Sequence, residues 1–268
     1  MNTTLKRPSV SSESLWRGGH KRYCPTPKIC TGLCTITSMA DSFHIWILGA
    51  SGGIGSVLTR LLADSHRLTV TARNTENLSG LPVVHANCNI GDSDSLHSAF
   101  STATHTHGPV DILVNCAGIG IFNKVTDCSE QDLDLLISTN MKGAMVSTRL
   151  VLPAMQARRH GMIIDVNSVA SLKAFPNNAG YAATKAGMLA WYRSVREEVR
   201  EYGVKVVTVF VGATDTDIWP DEPRNMYHDR MLQATDAASV IALLVNTFNN
   251  PRMMIEELTV RPQLGDLP

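Results

Sequence analysis

The chain has 268 residues, of which 44% are hydrophobic, so it has enough apolar side chains for one large domain or two small ones. Its 24 basic and 24 acidic residues balance, and no basic patch suggests a nucleic-acid partner. No apolar run approaches the ~18 residues of a membrane span, so we expect neither nucleic acid nor a membrane as a partner. The six cysteines lack the Cys-x2-Cys spacing of zinc or redox sites, which predicts free thiols in a reducing, cytoplasmic setting and no bound metal.

The first 38 residues differ from the rest of the chain. They contain six of the basic residues and Glu13 as their one acid, with many Ser, Thr, Pro and Gly and no helical or strand period. This composition predicts a disordered extension or an organelle-targeting segment, because the apolar core of a secretory signal is missing. We therefore predict that residues 1–38 lie outside the fold and that residues 39–268 form one domain.

From Phe43 onwards, short apolar strands alternate with longer amphipathic segments. The predicted strands are 43–48, 68–72, 82–86, 111–115, 162–167, 204–210 and 255–260. The predicted helices lie near 54–65, 92–104, 130–158, 179–202 and 235–248. Strands that alternate with helices favour right-handed βαβ units, and these build a doubly wound parallel sheet. We predict a single three-layer α/β/α domain of the Rossmann type.

The first predicted strand runs into the glycine-rich loop "GASGGIG". Glycines there permit a tight turn and a close backbone approach, and the N–H groups of the following helix can bind a pyrophosphate. The loop fits two spacings, Gly49-x3-Gly53-x-Gly55 and Gly49-x2-Gly52-x2-Gly55. The predicted cofactor contacts in this loop are Gly49, Ser51, Gly52, Gly53, Ile54 and Gly55.

The second strand ends in "TARN", where Arg73 follows Gly53 by twenty residues. An acid at the end of this strand would bind a ribose 2′-hydroxyl and select NAD, but none lies between Leu68 and Thr75. An arginine there can instead bind a 2′-phosphate, with the Ser51 hydroxyl as a further donor. This favours NADP(H), against the alternative that Arg73 is a solvated loop residue.

Polar residues follow three further elements at the edge of the sheet where ligands bind. The fourth strand ends in "NCAG", from Asn115 to Gly118, and the fifth ends at Ser168. Asn140 lies inside the long helical run 130–158, where an asparagine is unfavourable unless it caps a kink or has a local task.

The segment that follows Ser168 contains Tyr181 and Lys185, four residues apart. On a helix these two side chains share one face and can meet. An ammonium beside a phenol stabilises the phenolate, so the tyrosine can exchange a proton more readily. The pair alone fits either an acid–base device or a surface contact.

Together these features resemble the short-chain dehydrogenase/reductase family over about residues 43–262. The family's Gly-x3-Gly-x-Gly motif is similar to Gly49, Gly53 and Gly55, and "NCAG" resembles its Asn-Asn-Ala-Gly element with Cys116 in place of the second Asn. The competing glycine spacing suits the longer sugar-nucleotide epimerase branch, whose extra substrate domain this chain lacks. The positions that match the family's catalytic residues, in order, are Asn140, Ser168, Tyr181 and Lys185.

The resemblance implies a role for each of these four side chains. Tyr181 would be the general acid that protonates the carbonyl oxygen while NADPH delivers a hydride, and the base in the reverse direction. Lys185 would hold the nicotinamide ribose and favour the tyrosinate, Ser168 would donate to the substrate oxygen, and Asn140 would fix a water that relays protons to Lys185.

The resemblance also implies where the cofactor lies. Val211 stands where the family often has proline after the sixth strand, and Asn89 stands where relatives frequently have Asp near the adenine. Beyond the glycine loop and Arg73, the implied contacts are Asn89, Ile90, Asn115, Ala117, Gly118, Tyr181, Lys185, Gly212, Thr214 and Thr216.

We therefore expect an NADP(H)-dependent oxidoreductase that interconverts a small carbonyl compound and its alcohol. Two alternatives are a cofactor-sensing protein without turnover, which needs no proton donor, and an epimerase or dehydratase that retains its cofactor. The segment "WPDEPRNMYHDRML" is short and polar, which favours a small carbonyl or hydroxy acid over a steroid. The resemblance further implies a homodimer or homotetramer formed through the two long helices.

Overall fold

The computed structural model describes residues 42–267, so the prediction for residues 1–38 lies outside the described residues. The strands are β1 His44–Leu48, β2 Arg67–Thr71, β3 Val83–His85, β4 Ile112–Asn115, β5 Gly161–Ser168, β6 Val204–Val211, β7 Thr214–Asp215, β8 Leu232–Gln233 and β9 Glu257–Val260. The helices are α1 Gly53–Leu62, α2 Ser93–His107, α3 Glu130–Ile137, α4 Gly143–Arg158, α5 Ala179–Val199, α6 Asp221–Tyr227 and α7 Ala234–Val245. Within residues 42–267 no helix has the length and apolar character needed to cross a membrane.

Seven strands form one parallel sheet in the order β3-β2-β1-β4-β5-β6-β9. The chain builds outwards from β1 in one direction and then from β4 in the other. The carboxyl ends of β1 and β4 therefore flank the point where the strand order reverses, which is where ligands bind in such sheets. The predicted doubly wound parallel sheet is confirmed.

Strand β1 shows how the sequence creates the three layers. Its side chains alternate, since Ile45 and Ile47 pack into the core under α1 and α7, while Trp46 and Leu48 pack into the core under α2, α4 and α5. All four side chains are fully buried. A strand that is apolar on both faces is the pattern expected for a parallel sheet covered by helices on each side.

Two parts of the fold differ from the predicted elements. The run 130–158 is not one helix, because a π-helical turn at Ser138–Lys142 separates α3 from α4. The polar segment before the last helix is also structured: it contains α6 and is flanked by β7 and β8, which pair with each other in parallel. Strands of two residues are too short to leave a periodic pattern in the sequence.

The amino-terminal edge of the sheet carries a buried polar cluster around His44. The His44 ring is fully buried, with Nδ1 3.0 Å from the carbonyl oxygen of Gly108 and Nε2 3.1 Å from the hydroxyl of Thr69. Burial lowers the pKa of His44 to about 4, so the ring is neutral near pH 7. A neutral imidazole has one donor and one acceptor nitrogen, and these two partners satisfy both.

Asp111 belongs to the same cluster and precedes β4. Its Oδ2 accepts a hydrogen bond of 2.9 Å from the backbone N–H of His44. The guanidinium groups of Arg158 and Arg67 lie 3.5 and 3.7 Å from its carboxylate oxygens. This cluster ties the first residues of β1 and β2 to the end of α4.

Candidate active site

The glycine loop between β1 and α1 lies directly against the end of β4. Gly49 has a φ of +71°, and a Cβ atom there would lie 2.6 Å from the backbone N and Cα of Ala117. Both the backbone conformation and the close approach require glycine. Gly52 caps α1 and has no side chain to satisfy the first N–H groups of that helix, so those groups are available to an anion.

The rim beside this loop carries Arg73. The Arg73 side chain is exposed and forms no hydrogen bond or ion pair within residues 42–267. The neighbouring Asn77 donates a hydrogen bond of 3.0 Å from its side chain to the carbonyl oxygen of Ser51, which links this rim to the glycine loop. The nearby acid Glu76 accepts a hydrogen bond of 3.2 Å from the Asn74 side chain.

Tyr181 and Lys185 lie on one face of α5, as their spacing predicts. The Lys185 Nζ is 5.8 Å from the centre of the Tyr181 ring and donates a hydrogen bond of 3.0 Å to the carbonyl oxygen of Val166 on β5. Their exposed fractions are 8% for Tyr181 and 6% for Lys185. A lysine buried to that extent is unusual on a helix surface, which argues against a mere surface pair.

Asn140 lies in the π-helical turn between α3 and α4. Its Oδ1 accepts from the backbone N–H of Ile119 at 2.8 Å, while its Nδ2 donates to the carbonyl oxygen of Ile119 at 3.0 Å and to the Thr184 hydroxyl at 3.2 Å. Such π-helical turns are frequent at functional sites. Asn140 therefore joins the loop after β4 to the helix that carries Lys185. This is a local role of the kind that an asparagine inside a helical run indicates.

Ser168 is the last residue of β5 and is half-buried. Its Oγ accepts a hydrogen bond of 3.1 Å from the backbone N–H of Ala170, and its own N–H donates to the side chain of Asn167 at 2.7 Å. A serine hydroxyl has one donor and two acceptor sites. Since the contact with Ala170 uses an acceptor site, the hydroxyl hydrogen can still donate to a ligand.

The "NCAG" segment passes between the glycine loop and the side chains of Asn140 and Lys185. A Cβ atom on Gly118 would lie 3.5 Å from Asn140 Oδ1 and 3.7 Å from Lys185 Nζ. Burial raises the pKa of Cys116 to about 12, so its thiol remains protonated and unreactive at neutral pH. The small residues of this segment, such as Gly118, leave space beside the Lys185 ammonium.

The segment after β6 packs against the glycine loop from another side. A Cβ atom on Gly53 would overlap the side chain of Thr216. Gly212 lies against Pro262, whose Cδ would be 2.8 Å from a Cβ at that position. The Thr214 hydroxyl donates to the carbonyl oxygen of Gly212 at 3.0 Å, and β6 ends at Val211 without the proline that is frequent in the family.

The predicted adenine contacts lie between β3 and α2. Asn89 is exposed, and its side-chain oxygen accepts a hydrogen bond of 3.2 Å from the backbone N–H of Gly91. Ile90 packs on Gly143, where a Cβ would lie 2.5 Å from Ile90 Cγ1. The side-chain oxygen of Asn89 is thus bound locally, while its side-chain nitrogen Nδ2 forms no hydrogen bond within residues 42–267.

Asp165 is a site residue that the sequence analysis missed. It is 1% exposed, in the middle of β5, and accepts hydrogen bonds from the side-chain amides of Asn115 at 3.1 Å and Asn167 at 3.0 Å. Burial raises its pKa, and the Lys185 ammonium and these two amides oppose that shift. A carboxylate in the otherwise apolar run "MIIDVN" was the available signal.

These residues come together along the carboxyl edge of the sheet, and we refer to the region that they line as the cleft. The glycine loop, the end of β4, the π-helical turn, the end of β5 and α5 all contribute side chains or backbone to it. Within residues 42–267 no group of three or more His, Cys, Asp or Glu side chains is arranged to hold a metal ion.

Comparison with known proteins places these features in a family. A family model described as short chain dehydrogenase matches residues 44–226. The 3-oxoacyl-(acyl-carrier-protein) reductase MabA of Mycobacterium avium is 33% identical over 178 residues, which is 66% of this chain and 69% of that protein. Sepiapterin reductase of Chlorobaculum tepidum is 27% identical over 209 residues, 78% of this chain and 83% of that protein.

Solved structures show the same architecture. A metagenomic short-chain oxidoreductase in complex with NADP superposes with a TM-score of 0.72 at 29% identity, covering 84% of this chain and 99% of the other. A serine dehydrogenase complexed with NADP+ superposes with a TM-score of 0.77 at 24% identity, covering 84% of this chain and 96% of the other.

Proposed function

Because the chain belongs to the short chain dehydrogenase family, whose members among its relatives are reductases and dehydrogenases, we propose that it interconverts a small carbonyl compound and its alcohol with NADP(H). The observation that carries this proposal is the buried Tyr181–Lys185 pair, which lies in the same cleft as the glycine loop. A proton donor beside a dinucleotide groove is what a carbonyl reduction needs.

The cleft fits a dinucleotide on its own features. The first N–H groups of α1 lack a capping side chain and suit a pyrophosphate. The close approach of Gly49 to Ala117 brings the glycine loop directly against the end of β4. Lys185, with its ammonium held at the carbonyl oxygen of Val166, would bind the nicotinamide ribose, and Thr214 and Thr216 would contact the nicotinamide half.

When bound, NADPH would supply the hydride that reduces the carbonyl carbon. Tyr181 protonates the carbonyl oxygen as the alcohol forms and removes that proton in the reverse direction. Lys185 stabilises the tyrosinate electrostatically, and Ser168 donates its free hydroxyl hydrogen to the same substrate oxygen. Proton transfer by a positioned side chain typically contributes ~10²–10⁴-fold to the rate.

Asn140 has a structural part and a proposed catalytic part. Its two amide hydrogens are used by Ile119 and Thr184, and its oxygen accepts from Ile119. Only the second acceptor site of that oxygen is left to hold a water that relays protons to Lys185. This relay stays a prediction.

The preference for NADP(H) rests on Arg73. Its exposed guanidinium has no partner within residues 42–267, so it can bind a 2′-phosphate through two hydrogen bonds. The nearby carboxylate of Glu76 accepts a hydrogen bond from Asn74. Its charge opposes a 2′-phosphate, so the preference depends on the Arg73 guanidinium. The NADP in the solved complex of the 29%-identical relative supports this choice of cofactor.

The proposal is tested by mixing the purified protein with NADPH or NADH and a set of small aldehydes, ketones and oxo acids. We expect stoichiometric conversion of NADPH to free NADP+ with at least one carbonyl compound, and little turnover with NADH. Binding of NADPH without any turnover would indicate a sensing protein. Turnover with the cofactor retained on the protein would indicate an epimerase or dehydratase.

Assembly as a homodimer or homotetramer through α4 and α5 is a further part of the proposal, carried by the family membership alone. Light scattering should then give a mass of two or four times the 29.1 kDa chain. A mass equal to one chain at micromolar concentration would contradict it.

A further inference from the structure

An aromatic contact lies directly beside Tyr181. The ring of Phe122 meets the Tyr181 ring edge-on at a centroid distance of 5.5 Å. On its other side Phe122 stacks on Trp219, with centroids 5.4 Å apart and an interplanar angle of 25°. Phe122 follows the "NCAG" segment and Trp219 follows β7, so the contact joins two loops on opposite sides of the cleft.

Gly120 makes this arrangement possible. A Cβ atom at Gly120 would lie 2.5 Å from Phe122 Cζ and 3.0 Å from Ile218 Cγ1. The Phe122 ring therefore folds back over its own loop and reaches Tyr181. The surrounding side chains are apolar as well, since Ile119, Phe175 and Ile218 pack on the same small cluster as Tyr181.

Three cations of the neighbouring segments, unlike the exposed Lys124, already have carboxylate partners. Arg224 contacts Asp215 and Asp217 at 2.6 Å each. Lys173 and Arg261 both contact Asp266, at 2.9 and 3.2 Å. To bind one of these three paired cations, a substrate carboxylate would have to break an ion pair, and breaking a paired charge is costly where solvent is partly excluded.

Arg230 lies in the same region and has no carboxylate partner. Within residues 42–267 its buried Nε has no hydrogen-bond partner, and its one contact is to the carbonyl oxygen of Asp266 at 3.5 Å. A substrate acid could bind there, so Arg230 defines the competing hypothesis. Apart from Lys185, however, the side chains that pack on the Tyr181 ring are rings and aliphatic groups.

We propose, on the basis of the proposed function, that Phe122 and Trp219 select carbonyl compounds that carry a flat apolar group next to the carbonyl carbon. Aryl ketones and aldehydes are the substrate class that fits, rather than the small hydroxy acids that the polar segment predicts. The ring of the substrate packs on Phe122 and Trp219, and its carbonyl oxygen then faces Tyr181. Aromatic rings favour offset-stacked or edge-on packing with one another over contact with water.

The test compares three ketones of similar size with NADPH: acetophenone, cyclohexyl methyl ketone and the carboxylate-bearing levulinate. We expect kcat/KM to fall in that order, with acetophenone at least roughly tenfold above levulinate because of the buried ring. Phe122→Ala and Trp219→Leu should each lower the acetophenone-to-levulinate ratio by roughly fivefold to tenfold. Using the ratio within one variant cancels differences in the amount of folded protein.

A matched control is Phe100→Leu. Phe100 lies on α2 and contacts Trp46 at a centroid distance of 5.6 Å, in a cluster separate from that of Tyr181 and Phe122, so this change should leave the ratio unaltered. Tryptophan fluorescence gives a second readout that does not depend on turnover. Benzamide, a ring compound that is not reduced, should quench the emission of the parent protein, and Trp219→Phe should remove that quenching.

Two results would overturn the proposal directly: faster turnover of levulinate than of acetophenone, or an acetophenone-to-levulinate ratio that is unchanged in both ring variants. A third would be a parent protein that prefers levulinate and an Arg230→Gln variant that selectively loses levulinate turnover. A protein that reduces neither these ketones nor any of the wider set of aldehydes, ketones and oxo acids contradicts the proposed oxidoreductase function instead. In that case quenching by benzamide, present in the parent and absent in Trp219→Phe, still supports the aromatic binding surface, and its absence from the parent rejects it.

Discussion

The two edges of the central sheet both carry buried polar clusters, and the clusters are built differently. At the amino edge, His44 and Asp111 are held by neighbouring backbone groups, hydroxyls and two arginines. At the carboxyl edge, Tyr181 and Ser168 are held in place while keeping hydroxyl hydrogens that the described contacts do not require.

We expect this difference to separate a structural cluster from a functional one. Polar groups that satisfy one another hold strands and helices in register and leave nothing for a ligand. Polar groups that keep a free donor in a cleft are costly unless a ligand or water uses it. The amino edge should therefore govern stability and the carboxyl edge should govern turnover, and each cluster can be altered separately.

The largest expected effect is on turnover in Tyr181→Phe. This change keeps the ring packed on Phe122 but removes the transferable proton, so kcat should fall by at least ~10²-fold while the affinity for NADPH and the thermal midpoint barely change. Steady-state kinetics measure kcat, a cofactor titration measures the affinity for NADPH, and thermal unfolding measures the midpoint.

Tyr192→Phe is the matched control on the same helix. Tyr192 is fully buried, and its hydroxyl contacts Thr148 at 3.4 Å. Removing that hydroxyl should lower stability slightly and leave kcat near the parent value. A Tyr181→Phe protein that works at the parent rate would end the catalytic assignment.

The next effect concerns Arg73→Ala. Charged hydrogen bonds to a 2′-phosphate contribute ~1.5–3 kcal/mol, so KM for NADPH should rise by roughly tenfold to a hundredfold while KM for NADH stays nearly constant. The difference should shrink at high salt, since exposed charges are screened. Arg252→Ala, which removes an exposed charge elsewhere, controls for net charge, and equal use of NADH by the parent enzyme would refute the preference.

At the amino edge, Asp111→Asn should act on stability alone. It weakens the contacts of one carboxylate with Arg67, Arg158 and the N–H of His44, which should cost about 1–3 kcal/mol of unfolding free energy. Urea denaturation measures that loss. The kcat of the folded variant should equal that of the parent, and a tenfold fall in kcat without a loss of stability would break the distinction between the two edges.

The expected effect that is smallest at neutral pH is a pH dependence from His44. Burial holds its pKa at about 4, below the ordinary 6.5, so the native ring resists protonation while the unfolded chain accepts a proton. Stability is therefore full above pH 6.5 and should fall as the pH drops towards 4, by about 2 kcal/mol at pH 5 and about 3 kcal/mol at pH 4. His66 and His107, whose pKa values burial also lowers, contribute in the same window. A flatter profile in His44→Gln than in the parent would identify its share.

The sequence predicts most of the fold because its signals are local. Alternation and apolar runs mark the seven strands of the main sheet, and the spacing of Tyr181 and Lys185 places them on one helical face. The contact of Phe122 with Trp219 has no such signal, because it joins loops almost a hundred residues apart. Asp165 was missed for a related reason, since its partner Asn115 becomes a neighbour only when β4 and β5 pair.

The approach of Gly49 to Ala117 couples the occupancy of the cleft to the folding equilibrium. The two loops meet only once β1 and β4 have paired, so an unfolded chain has no groove to offer a dinucleotide. Any compound that binds this groove must shift the population towards the native state, by about 2.7 kcal/mol at a concentration one hundred times its Kd. The cellular lifetime of this protein should therefore follow the supply of its own cofactor.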